Sequence, residues 1–214
     1  MSNNASTIFI VDDDTQVRQA LALLMESVGL QVQTFPSADA YLENFDPESP
    51  GCLILDVRMP GMSGLELQAR LAAEIMHPPV IVITGHGDVP MAVRAVQAGA
   101  VDFIEKPFND QALLDSVHRA LDTDARQRGR ASKLAEVKAR LASLTPREQQ
   151  VMKMVVAGKR NKVIALDLSV SQSTVEAHRA KVMEKMQAQS LSELMRMVLS
   201  LEDDNPHPDQ FARD

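Results

Sequence analysis

The sequence predicts an α/β fold, a doubly wound five-stranded parallel sheet, joined to a second, all-α domain of four helices. The first half alternates short apolar runs with amphipathic helical segments, which is the pattern of βα units with helices on both sheet faces. From Leu144 onward every predicted element is helical. The net charge of −7 is also uneven: residues 1–124 carry −12, residues 125–201 carry +9 and residues 202–214 carry −4. A basic segment beside an acidic domain indicates two functions on one chain, with nucleic acid as the partner of the basic part.

Five strands and five helices are expected in the first half. Apolar runs that end in turn or charged residues define the strands, and recurrence at helical spacing defines the helices. The expected strands are Thr7–Asp12, Gln31–Phe35, Cys52–Asp56, Val80–Thr84 and Asp102–Glu105. The expected helices are Thr15–Val28, Ser37–Asn44, Gly64–Ala73, Val89–Ala98 and Asp110–Leu121.

A helical linker is expected at residues 122–142, between a first domain at 1–121 and a second at 143–204. This segment is rich in Arg, Gln, Lys and Ala. Apolar residues recur along it and just beyond it at spacings of three and four, which is a helical seam: Leu134, Val137, Leu141 and Leu144. Packing against the neighbouring domains explains this seam, and a short coiled coil between two copies is the alternative.

The second domain begins with strong helix-start signals. Thr145 is a capping residue, Pro146 occupies the first helical position and Glu148 the third. Its helices are expected to run to Ala157, over Asn161–Leu168, from Ser171 to about Met186, and over Leu191–Leu201. Residues 205–214, with two prolines and little apolar content, are expected to be disordered.

Charged groups follow three of the predicted strands. Asp12, Asp13 and Asp14 follow the first, Asp56 ends the third, and Lys106 follows the fifth. The carboxyl ends of parallel strands meet at one edge of the sheet, where open α/β sheets build their sites. Carboxylates gathered there repel one another unless a cation joins them. These residues therefore predict a Mg²⁺-dependent aspartate site that handles phosphate.

Four motifs in this half resemble the receiver domain of two-component systems, a flavodoxin-like fold. They are Val11-Asp12-Asp13-Asp14, the stretch from Leu55 to Gly64, the stretch from Ile83 to Pro90, and Lys106-Pro107-Phe108. The resemblance implies that Asp56 is the phosphoacceptor. It further implies that Mg²⁺ is held by Asp12, Asp13, Asp56 and the backbone carbonyl of Arg58.

The resemblance also assigns roles around the acceptor. Lys106 would pair with a phosphoryl oxygen, the Thr84 hydroxyl would bond another, and Pro107 would follow a cis peptide. Thr84 and Phe103 would form the switch, and a plain core role is the alternative for Phe103. His86 is expected to line or gate the site rather than to act as a general base.

Two alternatives at this edge are disfavoured. Asp14 fits the N-cap of the first helix better than a metal ligand. A phosphatase with an aspartate nucleophile would have Thr or Val at the position of Gln16, and no cap-domain insertion is visible.

Residues 144–201 resemble the LuxR-type helix-turn-helix of the NarL and FixJ groups, and the first half points to the FixJ-like subgroup. The resemblance rests on Leu144–Glu148, Gly158–Ala165 and Ser171–Arg179. It departs from the family at Ser169, where glycine is usual, so that Ser169 must adopt a left-handed or strained backbone.

The helix that starts at Ser171 would lie in the major groove. Ser173, Glu176, Ala177 and Ala180 share its outer stripe, while Val175, Val182 and Met186 face inward. The expected DNA-binding residues are Lys162, Ser173, Thr174, Glu176, Ala177, His178, Arg179, Lys181 and Lys185. A protein-docking module of four helices is the alternative.

Together these features predict a phosphorylation-dependent transcriptional regulator, not a metabolic enzyme, whose receiver assists its own phosphoryl transfer and dephosphorylation. The expected partners are a sensor histidine kinase, double-stranded promoter DNA, RNA polymerase and, after phosphorylation, a second copy through the face of Val89–Ala98, the fifth strand and the following helix. No signal peptide or membrane span is expected, so the protein is expected in the cytoplasm. A regulator that uses this fold without phosphorylation is the alternative, but such proteins tend to lose site residues that are present here.

Overall fold

A computed structural model describes residues 6–74, 76–85 and 87–203, with the backbone alone at 202 and 203. The chain divides into two compact units, the first ending at Arg128 and the second beginning at Gly129. The strands are β1 Thr7–Val11, β2 Gln31–Phe35, β3 Gly51–Asp56, β4 Val80–Thr84 and β5 Asp102–Glu105. The helices are α1 Thr15–Ser27, α2 Ala38–Glu43, α3 Gly64–Leu71, α4 Val89–Gln97, α5 Asp110–Ala142, α6 Pro146–Val156, α7 Asn161–Asp167, α8 Gln172–Met186 and α9 Leu191–Asp203.

The first unit contains the predicted sheet of five parallel strands. Its strand order is β2-β1-β3-β4-β5, and β1 lies between β2 and β3. This order reverses the winding direction beside β1, and ligands bind at such a switch point in open α/β sheets. The fold class predicted from the sequence is confirmed.

Alternate residues of the central strands pack into separate cores on the two faces of the sheet. Phe9, Val11, Leu53 and Leu55 face α2, α3 and α4. Residues one position away on the same strands, such as Ile10 and Ile54, face α1 and α5. Every residue of β3 and β4 is buried, which is why these strands read as unbroken apolar runs rather than as alternating ones.

Side-chain caps begin most of these helices. Asp14 accepts hydrogen bonds from the amides of Gln16 and Val17, which confirms it as the N-cap of α1. Ser63 and Thr145 each form a capping box with a glutamate three residues on, and Ser171 caps α8. The loops before α1, α3 and α8 are therefore fixed by local hydrogen bonds, and each of them adjoins a candidate functional residue.

Helix α5 does not end at Leu121 as predicted but continues to Ala142. The segment expected to be a linker is therefore helical throughout, and its two halves belong to different units. Within the second unit, Val137 and Leu144 are buried in the core and Leu141 packs against it. The predicted seam is thus used for packing inside one chain, which favours that interpretation over the coiled coil.

The second unit has α6 to α9 packed around an apolar core that includes Val151, Ile164, Val175 and Leu194. Ser169 lies in the turn between α7 and α8 with φ of 54°, the left-handed conformation expected from the missing glycine. Gln187, after α8, has a similar φ of 55°, which the sequence did not signal. In the part of the chain that the structure describes, no helix is long and apolar enough to span a membrane. The expected disorder of residues 205–214 and the role of His86 lie outside the described residues.

Candidate functional site

The first candidate site lies at the carboxyl edge of the sheet, where two buried aspartates meet. Val11 and Leu55 are register partners in the neighbouring strands β1 and β3. The residues that follow these partners, Asp12 and Asp56, therefore lie side by side. Only 1% and 5% of their surface is exposed. Burying two neighbouring carboxylates is costly, and a cation that contacts both of them reduces that cost.

Lys106 supplies that cation. Its backbone amide donates to the Thr84 carbonyl at 2.7 Å, which holds the residue beside the end of β4. Its Nζ donates to Asp12 Oδ2 and to Asp56 Oδ1, each at 2.7 Å. Burial lowers the pKa of Lys106, but the hydrogen bonds and charges of Asp12 and Asp56 outweigh it, so the net pKa lies above its ordinary value. The peptide bond between Lys106 and Pro107 is cis, as predicted.

Asp56 is a buried, poorly solvated carboxylate. Burial raises the pKa of its carboxyl above the ordinary value, the hydrogen bond from Lys106 opposes this, and the charge of Asp12 adds to it. Its Oδ2 accepts a hydrogen bond from the amide of Arg58 at 2.7 Å. Gly64 is required nearby, because a Cβ at that position would lie 2.1 Å from the Asp56 carbonyl oxygen.

Asp12 is positioned by two contacts that the sequence did not reveal. Its Oδ1 accepts from the amide of Asp14 at 2.8 Å, and its carbonyl oxygen accepts from Arg18 Nη1 at 2.6 Å. Arg18 lies one turn inside α1, so the guanidinium fixes the β1–α1 connection. An arginine at this spacing after an acidic cluster was the available signal, but a solvent-exposed helix face explains the same pattern.

The predicted metal ligands are only partly brought together. Asp12 and Asp56 share Lys106, whereas Asp13 is exposed to solvent. Among residues 6–74, 76–85 and 87–203, no group of three or more acidic, histidine or cysteine side chains lies close enough to hold a metal ion. The donor chemistry nevertheless fits Mg²⁺, since three carboxylates and one ammonium leave net negative charge at this edge, and Mg²⁺ favours oxygen ligands.

The predicted switch residues lie next to the site. Thr84 ends β4 and is fully buried, and Phe103 in β5 is half-buried and packs against the core beneath α4. Gly87 lies against both of them: an added Cβ would be 3.1 Å from the Phe103 ring and 3.4 Å from Thr84 Cγ2. A side chain at position 87 would therefore press on the Phe103 ring and meet Thr84 at ordinary van der Waals distance, and no feature of the sequence indicates this.

The second candidate site is the outer face of α8. Ser173, Glu176 and Ala177 are exposed, while Val175, Val182 and Met186 are buried, so the helix has the predicted orientation. Thr174 is half-buried and its hydroxyl lies 2.8 Å from Ser171 Oγ, within the cap of the helix.

A short polar chain joins α7 to α8. Arg179 Nη1 donates to Asn161 Oδ1 at 2.7 Å, and Asn161 Nδ2 lies 3.5 Å from Glu176 Oε1. The first contact is a good hydrogen bond and the second is at the limit of one. Arg179 therefore orients Asn161 toward Glu176, at the position proposed to face DNA bases.

The predicted phosphate contacts differ in their surroundings. Lys162 and Lys181 are exposed, with Lys181 paired to Glu184 at 2.9 Å, and His178 is half-buried. Lys185 instead donates to Glu148 Oε2 at 2.6 Å and to the Ser143 carbonyl at 3.3 Å. The hydrogen bond from Lys185 lowers the pKa of Glu148 to about 2. Lys185 therefore joins α8 to α6 in this structure, and its contact with DNA stays a prediction.

Comparison with known proteins assigns both units. Residues 8–118 match the response regulator receiver domain, and residues 142–198 match the luxR family of bacterial regulatory proteins. The chain is 50% identical to the transcriptional regulatory protein FixJ of Azorhizobium caulinodans over 192 residues, which covers 90% of this chain and 91% of that protein. It is 47% identical to the response regulator protein TodT of Pseudomonas putida over 203 residues, covering 95% and 89% of the two chains.

Solved structures agree with this assignment. The response regulator StyR superimposes with a TM-score of 0.83 at 45% identity, covering 91% of this chain and 98% of that one. Full-length FixJ from B. japonicum gives a TM-score of 0.55 at 43% identity, covering 92% and 98%. The chain therefore belongs to the two-component response regulators with a LuxR-type DNA-binding domain, alongside FixJ, and is a transcriptional regulator rather than a classical enzyme.

Proposed function

We propose that this regulator is switched by phosphorylation of Asp56, donated by a sensor histidine kinase, and that the modified form dimerises and binds promoter DNA. The observation that carries the proposal is the contact of Lys106 Nζ with both Asp56 and Asp12 at 2.7 Å. A buried carboxylate beside a fixed ammonium can accept a phosphoryl group whose added charge is already partly compensated.

The chemistry requires little of the protein beyond positioning. An Asp56 carboxylate oxygen attacks phosphorus, the bond from phosphorus to the donor breaks, and the donor leaves with that electron pair. No proton has to be removed from the nucleophile, because a carboxylate is already ionised near neutral pH. Lys106 stabilises the charge on the phosphoryl oxygens, and the amide of Arg58, 2.7 Å from Asp56 Oδ2, orients the acceptor. The same groups would assist hydrolysis of the acyl phosphate.

Mg²⁺ is the proposed cofactor. Asp12, Asp13, Asp56 and the Arg58 carbonyl would hold it, and when bound it would neutralise charge on the transferring phosphoryl group. The exposure of Asp13 leaves its carboxylate free to turn toward such an ion, while Lys106 already holds the other two carboxylates in the site.

Dimerisation is proposed through α4 together with β5 and α5. Val89, Val93 and Val96 expose 76%, 47% and 59% of their surface on α4. Three exposed valines on one nine-residue helix form an apolar strip that a partner surface would bury. Thr84, Gly87 and Phe103 lie between the phosphoacceptor and this helix, so they are the proposed route by which phosphorylation alters it.

DNA binding is proposed through the outer face of α8. The exposed Ser173, Glu176 and Ala177 would face bases, and Lys162, His178, Arg179 and Lys181 would contact phosphates, with Thr174 in the cap beside them. A regulator bound at a promoter lies beside RNA polymerase, which is the further proposed partner.

Intact mass spectrometry after incubation with acetyl phosphate and Mg²⁺ tests the phosphoacceptor. The wild-type protein should gain one phosphoryl group, and Asp56→Asn should gain none. Asp115→Asn is the matched control, since it removes an exposed aspartate from α5 of the same unit and should label like the wild type.

Asp13→Ala tests the need for Mg²⁺ independently of the phosphoacceptor Asp56. This variant keeps the contacts of Lys106 with Asp12 and Asp56, so its labelling should be lost at Mg²⁺ concentrations that suffice for the wild type. Labelling of Asp56→Asn would show that Asp56 is not the phosphoacceptor. Wild-type labelling that is unchanged by a chelator would show that the reaction does not need Mg²⁺.

A further inference from the structure

Two charged residues bind α5 to the loop before β3, beyond the point where the sequence predicts that the receiver ends. Asp124 is 3% exposed and Arg128 follows it one helical turn later. Asp124 Oδ2 accepts a hydrogen bond from the amide of Gly51 at 3.0 Å. Arg128 Nε lies 2.9 Å and 3.0 Å from the two carboxylate oxygens of Asp124.

The remaining nitrogens of Arg128 bind backbone carbonyls of the same loop. Nη1 donates to the carbonyls of Pro47 and Glu48, each at 3.0 Å, and Nη2 donates to Ser49 at 2.6 Å. The guanidinium therefore contacts one carboxylate and three consecutive carbonyls. Its planar set of five donors suits this arrangement, and the compact ammonium of lysine could serve only part of it.

The charge pair specifies geometry more than it adds stability. Desolvation offsets much of the attraction in a buried pair, but removal of one partner leaves the other unsatisfied. Arg126, on the same helix, offers a contrast: it is exposed, and its contacts with Asp122 and Thr123 lie within one turn of α5. Of these two arginines, Arg128 contacts the α2–β3 loop and Arg126 does not.

The loop leads directly into the strand that carries the phosphoacceptor. Gly51 begins β3 and Asp56 ends it, and all six residues of this strand are buried. Gly51 also lies against β1 so closely that a Cβ there would be 1.8 Å from the Thr7 carbonyl oxygen. The carboxylate of Asp124 and the acceptor Asp56 are thus attached to opposite ends of one tightly packed strand.

We propose that Asp124 and Arg128 form a positioning clamp that fixes residues 122–128 of α5 to the loop before β3, and that phosphorylation of Asp56 changes DNA binding only when this clamp is intact. The receiver then extends to Arg128, and the helix leaves it in a fixed helical phase. This inference rests on the proposed function, because it concerns how the state of Asp56 reaches the helix that continues to Ala142.

The test compares full-length Arg128→Ala with Arg126→Ala as the matched control. Hydrogen exchange should show about tenfold weaker protection of residues 47–51 and 122–128 in Arg128→Ala, and wild-type protection in Arg126→Ala. Labelling of Asp56 by acetyl phosphate should be unchanged in both. Affinity is then measured for a short duplex selected from a random pool by acetyl-phosphate-treated wild-type protein. The gain in affinity on phosphorylation should persist in Arg126→Ala and be lost in Arg128→Ala.

If Arg128→Ala unfolds, Arg128→Lys replaces it as the test variant. In Arg128→Lys, Asp56 should still be labelled, and the gain in DNA affinity on phosphorylation should be smaller than in the wild type. Wild-type protection and a full phosphorylation response in both Arg128 variants would overturn the clamp. A wild-type protein that does not label, or does not respond to labelling, would instead overturn the proposed function. In that case, unchanged protection of residues 47–51 and 122–128 in Arg128→Ala would reject the anchoring of α5 to the loop, and weaker protection would support it.

Discussion

Asp56 carries a charge that its surroundings only partly compensate. Its pKa lies above the ordinary value because burial disfavours the carboxylate, and the hydrogen bond from Lys106 does not fully offset this. The unfolded chain therefore releases this proton more readily than the folded chain does. The charged form of Asp56 therefore costs stability, and carboxylates with perturbed pKa values cluster at functional sites.

Asp56→Asn should accordingly stabilise the receiver near neutral pH. A raised folded-state pKa gives stability that is present at pH values below the unfolded pKa, near 3.8, and lost as the pH rises through the folded value. The gain in stability of Asp56→Asn over the wild type should thus be smallest near pH 3.8 and grow as the pH increases.

Tyr41 provides the measurement, because it is the only tyrosine of a chain without tryptophan and is buried in the receiver core. Urea unfolding followed by Tyr41 fluorescence gives the free energy of unfolding of the wild type and of Asp56→Asn at several pH values. Asp115→Asn controls for loss of one negative charge at the surface. If the stability difference between Asp56→Asn and the wild type shrinks with rising pH, the Asp56 carboxylate does not destabilise the folded receiver.

At the scale of single elements, the sequence indicates the strands and caps well and the end of α5 poorly. The buried strands β1, β3 and β4 are visible in the sequence as apolar runs, and Asp14, Thr145 and Ser171 cap the helices that they are expected to begin. These features depend on local chemistry, which neighbouring residues carry. The attachment of this part of α5 to the first unit is different, because Arg128 contacts carbonyls about 80 residues earlier in the chain, which no local pattern reveals.

The candidate sites divide in the same way. Asp12, Asp56 and Lys106 were expected together because each follows a strand of one parallel sheet, and the structure brings them together. Lys185 was expected to contact DNA because it is basic and lies on α8. Its half-buried position against Glu148 depends on how α6 packs on α8, and a helical repeat alone does not distinguish the two roles.

The two ends of the proposed DNA interface on α8 should respond differently to substitution. Glu176→Ala should relax preference at one base pair by about 1–3 kcal/mol, because an exposed carboxylate can accept from cytosine N4. Lys181→Ala should weaken binding to all sequences alike and reduce the salt slope by about one, because it removes one phosphate contact.

Affinities for single-base variants of a selected duplex, at two salt concentrations, distinguish these effects. Lys153→Ala is a control, since it removes an exposed lysine of the same unit from α6 rather than α8. Equal weakening of all duplexes by Glu176→Ala would show that Glu176 does not read bases.

At the scale of the whole molecule, charge separates the two functions. Residues 1–124 carry a net charge of −12, and residues 125–201 carry +9. The basic part attracts DNA phosphates without regard to sequence, while the acidic part is repelled by them. A dimer doubles the number of basic segments on one DNA, so dimerisation through the acidic unit would raise affinity without a new base contact.

Val93→Asp should prevent this dimerisation. A charge placed in the exposed strip of Val89, Val93 and Val96 would have to be desolvated in the dimer. Sedimentation after acetyl phosphate treatment should show dimers for the wild type and monomers for Val93→Asp. Leu23→Asp, at a residue 67% exposed on α1, should still dimerise. Dimers of phosphorylated Val93→Asp would place the interface elsewhere.

Titration of a selected promoter-length duplex shows whether the phosphorylation state of Asp56 controls DNA binding, as proposed. The affinity of wild-type protein should rise on treatment with acetyl phosphate and Mg²⁺, while Asp56→Asn should keep the affinity of the untreated protein. Equal affinity of treated and untreated wild-type protein, with Asp56 shown by intact mass to be labelled, would show that phosphorylation of Asp56 does not control DNA binding.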